Sequence, residues 1–253
     1  MENWDPAVIV LCGKDKVECQ DAAWAEVRGQ TLFLAVADGV GSQPNSALGA
    51  RKSIEIFRSQ IDCTDASVES VMELADRLFK NVADQWQSWA EASESEDLRL
   101  TARSLQTTFA LCVERDGILA VRSVGDSLCF TGAGEGRLNP LLSPVRDESG
   151  GVATLLTSVD ITEAWVAVNL DDPLMNRVVL STDGLDRTLL RDRSAGPTGN
   201  DYFEKVDPYL TQILDQYVDG EMSVDSLGSE LSTGLIEARG AKGDDIGIAM
   251  ANR

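Results

Sequence analysis

Residues 31–42 read TLFLAVADGVGS. The apolar run over 31–37 has the length of a buried strand, and Asp38-Gly39 breaks it into a turn. A second apolar stretch, 22–28, stands just before it, and Gly29-Gln30 between them predicts a hairpin-like connection. Beyond the turn-rich DGVGSQPNS, residues 46–61 (SALGARKSIEIFRSQI) predict a helix. Residues 66–92 place Val68, Val71, Met72, Ala75, Leu78, Phe79, Val82, Trp86 and Trp89 at steps of three and four, which predicts a long amphipathic helix with the tryptophans in the core. The charge run SESED at 93–97 closes it.

Strand patterns fill most of the remainder. Residues 7–12 precede the opening hairpin, and 106–114 (QTTFALCVE), 117–123, 127–131, 153–158, 163–169 and 177–182 follow the helices. The segment around 133–163 is weakly patterned. Helices are expected over 201–217 and 223–238, with RDRSAGPTGN as a loop before them and IGIAMA at 246–251 as a last strand. Strands dominate both halves, the helices come in two pairs, and strand–helix–strand alternation is rare. An α+β fold of two mainly antiparallel sheets, with one helix pair outside each, is therefore expected rather than a doubly wound parallel sheet. No repeat or Pro- or Ser-rich linker divides the chain, so residues 1–253 are expected to form a single domain.

Composition narrows the chemistry. A chain of 253 residues, 43% of them apolar, can bury a core without disulfides or structural metals. Lys and Arg total 22 against 42 Asp and Glu, a net charge of −20, which disfavours nucleic acid and anionic membrane surfaces as partners. Histidine is absent, which removes Ser-His-Asp and Cys-His mechanisms and His-bearing zinc sites. The cysteines at 12, 19, 63, 112 and 129 are odd in number and form no CxxC pair, so free, buried thiols in a reducing cytoplasm are expected. No stretch approaches the roughly 20 apolar residues of a membrane span, and the run 7–12 is too short for a signal-peptide core.

Several aspartates stand where an apolar strand meets a turn. Asp38 precedes Gly39, Asp183 precedes Gly184, Asp126 follows Gly125, Asp244 and Asp245 follow Gly243, and Asp21 leads into a strand. Any one Asp-Gly is by itself a turn signal. Several carboxylates meeting at one sheet edge would repel unless a cation neutralised them, and hard oxygen ligands without His or Cys suit Mg²⁺ or Mn²⁺.

In order and rough spacing these residues resemble the metal-dependent protein serine/threonine phosphatases of the PP2C type. ADGVGS at 37–42 looks like that family's DGxGG signature, VGDS at 124–127 like its GDS motif, and STDGL at 181–185 like its SDGL motif. GDDIGIAM at 243–250 resembles its terminal GDN strand, KVECQDA at 16–22 its opening Arg-to-Asp motif in the bacterial form, and LQTTFAL at 105–111 its Thr-pair strand. The resemblance implies a four-layer α-β-β-α sandwich, in agreement with the pattern above. It implies two Mn²⁺ or Mg²⁺ ions, with a third held more weakly. Asp38 would bridge two ions, the Gly39 carbonyl would bind the second, and Asp183 and Asp244 would complete the first. Asp126 would help Asp183 hold the third ion. Asp21 would orient the attacking water, and Lys16 would stand where the family's Arg binds phosphate. The implied reaction is hydrolysis of phosphoserine and phosphothreonine in proteins by a water activated between two metal ions, with a Ser/Thr kinase or its target as partner. The alternative is a weak or inactive relative that serves as a phosphoprotein-binding regulatory module. Departures from the pattern are Lys16 for Arg, Ser42 for the last Gly of the signature, Leu128 after GDS where Arg is common, and Asp245 for Asn.

Overall fold

The computed structural model describes residues 3–13, 16–62, 70–133, 138–142, 155–157, 165–185, 190–195, 201–206, 212–214, 216–217, 221–223, 225–231 and 244–253. Strands β1 (Asp5–Leu11), β2 (Asp21–Arg28) and β3 (Thr31–Asp38) precede helices α1 (Ser46–Asp62) and α2 (Val71–Glu96). Then come β4 (Phe109–Arg115), β5 (Ile118–Val124), β6 (Leu128–Ala133), β7 (Leu138–Leu142), β8 (Val166–Asp171) and β9 (Met175–Ser181). A 3₁₀ turn at Asp183–Leu185, strands β10 (Leu190–Ala195) and β11 (Asp201–Val206), and β12 (Ile246–Asn252) complete the order.

One five-stranded sheet runs β2-β3-β4-β5-β8 and another β1-β12-β9-β6-β7, with every pairing antiparallel. The period-two alternation of strand side chains divides their residues between layers. On β3, Phe33, Ala35 and Ala37 face α1 and α2, while Leu32, Leu34 and Val36 join Val178, Leu180, Ala249 and Ala251 of the other sheet. Both faces are thus covered, which explains why β3 reads as a continuous apolar run. On the far side, Ile246, Ile248 and Met250 of β12 pack with Ile213, Leu214, Leu227 and Leu231 from the helical residues 212–214 and 225–231. The result is the expected α-β-β-α layering.

Helix α2 starts at a Ser70–Glu73 capping box, which satisfies donors that the first turn leaves open. Trp86 is wholly buried and its indole donates to the Gly49 carbonyl at 3.0 Å, tying α2 to α1, whereas Trp89 is only partly buried.

Some expectations are corrected. The helix expected from residue 201 is replaced at its start by β11, which pairs with β10 where a loop was expected. Tyr202, Phe203 and Val206 favour extended backbone once a partner strand lies alongside. Residues 155–157, placed in a strand at 153–158, form a turn, and the rest of that stretch lies outside the described residues. Strand β7 occupies part of the weakly patterned segment, and residues 232–238 of the last expected helix lie outside the described residues.

Candidate metal centre

Both sheets deliver aspartates to one edge of the sandwich. In the first, β2 begins at Asp21 and β3 ends at Asp38, and the two are direct cross-strand partners. Like charges facing each other across a strand pair repel. In the second, Ser181 at the end of β9 pairs with Leu128 at the start of β6 and with Ile248 near the start of β12. The turns carrying Asp126, Asp183 and Asp244-Asp245 are therefore neighbours.

Local structure holds each approach rigid. The Asp38 carbonyl accepts from Thr108 N at 2.8 Å and Thr107 Oγ1 at 2.9 Å, and Asp38 N donates to Thr108 Oγ1 at 3.1 Å. Gly39 N donates to the Gln20 carbonyl at 3.0 Å. Gly125, at φ +109°, adopts a backbone that L side chains rarely take, and a Cβ there would lie 2.5 Å from Thr108 Cγ2. At Gly184 a Cβ would lie 2.1 Å from the Asp245 carbonyl, so glycine alone lets the Asp183 turn pack on the start of β12.

The outcome is a carboxylate trio. Asp38, Asp126 and Asp183 each present an oxygen, all within 4.8 Å of one another. Among the described residues no other such group of acids or thiols converges. Burial pushes the Asp38 carboxyl well above the ordinary range, reinforced by the charges of Asp21 and Asp183 and by a shared hydrogen bond with Asp21. Asp21 is buried and pushed up to about 6, first by burial and further by Asp245 and Asp244, while hydrogen bonds from Thr182 and Asp38 oppose the rise. Carboxylates packed this tightly call for positive charge, and an all-oxygen donor set fits a hard divalent cation.

The other sequence candidates lie alongside. Asp244 is not in the trio; its Oδ1 is 2.5 Å from Lys16 Nζ, and more than half of its side chain, 56%, is exposed. Asp245 is buried, with Oδ1 accepting from Gly13 N at 2.6 Å and Oδ2 from Gln20 N at 2.8 Å and Lys16 Nζ at 3.0 Å. Burial works to lower the Lys16 pKa, but its hydrogen bonds to Asp244 and Asp245 prevail and raise it. In this structure Lys16, expected at the phosphate, rests on two carboxylates.

Thr182 is a residue the sequence reasoning missed. Its hydroxyl donates to Asp21 Oδ2 at 2.6 Å and accepts from Gly247 N at 2.9 Å. Its signal in the sequence is its place inside STDGL, next to Asp183. Gln20 was missed likewise: its backbone serves Asp245 and Gly39, and its amide donates to Ser46 Oγ at 2.8 Å. The thiols divide. Cys112 and Cys129 are buried as expected, Cys19 is partly buried, and Cys12, just past the end of β1, is exposed rather than buried. Cys63 lies outside the described residues.

A family model described as Protein phosphatase 2C matches residues 12–224. The chain belongs to the protein phosphatase 2C family. It is thereby a protein serine/threonine phosphatase by family, as the ordered motifs implied. Solved structures agree on the fold. Serine/threonine phosphatase Stp1 from Staphylococcus aureus is 12% identical with TM-score 0.72, covering 100% of this chain and 97% of its own. The S. agalactiae serine/threonine phosphatase is 14% identical with TM-score 0.71, at 98% and 99% coverage. The catalytic domain of the phosphatase PstP, solved with two manganese ions, is 16% identical with TM-score 0.65, at 98% and 97%. No curated protein matches the sequence. Among the described residues no helix is long and apolar enough to cross a membrane.

Proposed function

We propose that this family member hydrolyses phosphoserine and phosphothreonine in proteins, using two Mn²⁺ or Mg²⁺ ions and a weaker third. The observation that carries the reading is the trio of Asp38, Asp126 and Asp183 oxygens within 4.8 Å of one another at the edge of a PP2C fold. Asp38 would bridge two ions, with the Gly39 carbonyl, Asp183 and Asp244 completing their protein ligands and Asp126 joining Asp183 at the third. When bound, such ions supply an acidified water as nucleophile and neutralise charge on the phosphoryl oxygens. Asp21, held by the Thr182 hydroxyl, orients the attacking water. The Thr107–Thr108 clamp fixes the Asp38 backbone and so helps hold its carboxylate beside Asp126 and Asp183. Lys16 stands where the family's Arg binds phosphate, and its ammonium would meet the substrate phosphate on letting go of Asp244. Without histidine, the leaving serine or threonine oxygen takes its proton from water.

The substrate is a phosphorylated protein, for which a Ser/Thr kinase or its target is the chemical match, and residues 1–253 act as one domain. The free thiols at 12, 19, 112 and 129 support a reducing compartment, the cytoplasm. A second reading, a phosphoprotein-binding module without turnover, is favoured by the engagement of Asp244 with Lys16. Phosphate release from a phosphothreonine peptide, measured with Mn²⁺ and with EDTA, separates the two. Turnover with Mn²⁺ that EDTA abolishes supports the enzyme; peptide binding without release supports the module.

A further inference from the structure

Two departures from the family pattern touch each other. Lys16, for Arg, places Nζ 3.0 Å from Oδ2 of Asp245, which stands for Asn, and 2.5 Å from Asp244 Oδ1. The two carboxylates differ in freedom. Asp245 is immobilised, its side chain 1% exposed and its oxygens taken by the backbone amides of Gly13 and Gln20. Asp244 reaches solvent. A buried carboxylate stays charged only with donors and an opposite charge beside it. Asp245 therefore holds the Lys16 ammonium where it also covers Asp244. An Asn in place of Asp245 would carry no charge to do this.

We propose that Lys16 is an internal counter-cation, tethered by Asp245, that competes with a divalent ion for Asp244. This rests on the metal-centre reading above. An ion that takes Asp244 must displace Nζ from Oδ1, and the ammonium left on Asp245 still repels it at short range. The Asp38–Asp126–Asp183 trio lies outside the ammonium's hydrogen bonds, so the competition falls on the ion that takes Asp244 and spares one held by Asp126 and Asp183. A lysine suits this part because it is a point charge on a flexible stem that can let go of one carboxylate while keeping the other.

The test is Mn²⁺ titration of the full chain by isothermal calorimetry at neutral pH, with melting temperatures of the same samples. Lys16→Met keeps the aliphatic stem and removes the charge. It is expected to tighten the Mn²⁺ step that uses Asp244, identified as the step lost in Asp244→Asn, by about tenfold or more, since a unit charge a few ångströms away is removed. Its metal-free melting temperature should fall, because Asp245 loses its counter-charge, while the increase produced by saturating Mn²⁺ grows. Lys16→Arg keeps the charge and should bind Mn²⁺ much as the parent does. Lys16→Gln gives the same readout should Lys16→Met fail to fold. Mn²⁺ binding by the parent with an unchanged constant in the neutral variants overturns the counter-cation while sparing the metal centre. Absence of Mn²⁺ binding in parent and variants alike sinks both.

Discussion

Asp38 and Asp21 face each other across β2 and β3 and share a hydrogen bond, and Asp38 also sits under the field of Asp183. Removing the Asp38 charge should therefore relieve the metal-free protein while disabling the centre. We predict that Asp38→Asn and Asp183→Asn each abolish phosphate release at saturating Mn²⁺, while the metal-free melting temperature holds or rises. Near-normal turnover in either variant would show that the ligand assignment is wrong. The thiols behave by burial. Burial pushes the Cys129 thiol up to about 12 and Cys112 well above its ordinary value, so neither offers thiolate near neutral pH. Alkylation of the native protein, mapped by peptide mass spectrometry, should label Cys12 before Cys112 and Cys129, with those two reacting only on unfolding. Early modification of Cys112 would contradict the burial of β4.

At the scale of elements, β9, the turn after it and β12 act together through Thr182. Its hydroxyl serves Asp21 on the other sheet and the Gly247 amide on β12. Thr182→Val keeps the shape but leaves a buried amide and a carboxylate oxygen short of a partner. Such unsatisfied groups cost about 1–3 kcal/mol each, which urea denaturation of the metal-free protein would read. Because the Thr182 hydrogen bond lowers the Asp21 pKa, its loss should move Asp21 further upward. The acid limb of the activity profile is then expected to shift to higher pH in the variant. A stability loss with an unmoved profile would assign Thr182 to structure alone. The same scale explains β3. Its unbroken apolar run needs cover on both faces, which α1 and α2 provide on one side and the second sheet on the other.

For the whole molecule, buried acids set the response to pH. Asp21 and Asp38 have folded pKa values raised above those of an unfolded chain, so the folded state binds more protons. Their stabilising contribution is complete below the ordinary carboxyl range and is lost as pH rises through about 6, the folded value of Asp21. The net charge of −20 adds repulsion in the same direction. We predict that the metal-free protein melts higher at pH 5 than at pH 7.5, and that Mn²⁺ narrows the gap by neutralising the cluster. Asp38→Asn should shrink the metal-free gap, which separates the site from the global charge. A metal-free protein that melts higher at pH 7.5 would reject this account.

Much of the architecture was legible in local pattern. The apolar runs of β3, β4, β5, β9 and β12 and the three-and-four spacing of α2 each state their own burial. The Asp-Gly turns after β3 and β9 mark where those strands stop. Order and spacing of these motifs sufficed for the family, because each is a short run of neighbours in the chain. Strands β7, β10 and β11 were not legible, since among the described residues β7 sits at a sheet edge and β10 and β11 pair only with each other, so their extended form depends on a neighbour rather than on their own pattern. The convergence of Asp38, Asp126 and Asp183 also belongs to the tertiary structure, as does the facing of Asp21 and Asp38. Most of all, Lys16 by its own neighbours reads as a loop lysine, and only the family resemblance set it beside a phosphate. Its contact with Asp244 joins residues 228 positions apart, and only the packing of β12 between β1 and β9 brings them together. Local spacing encodes periodicity and turns, whereas charge pairing across such a separation is decided by which strands become neighbours.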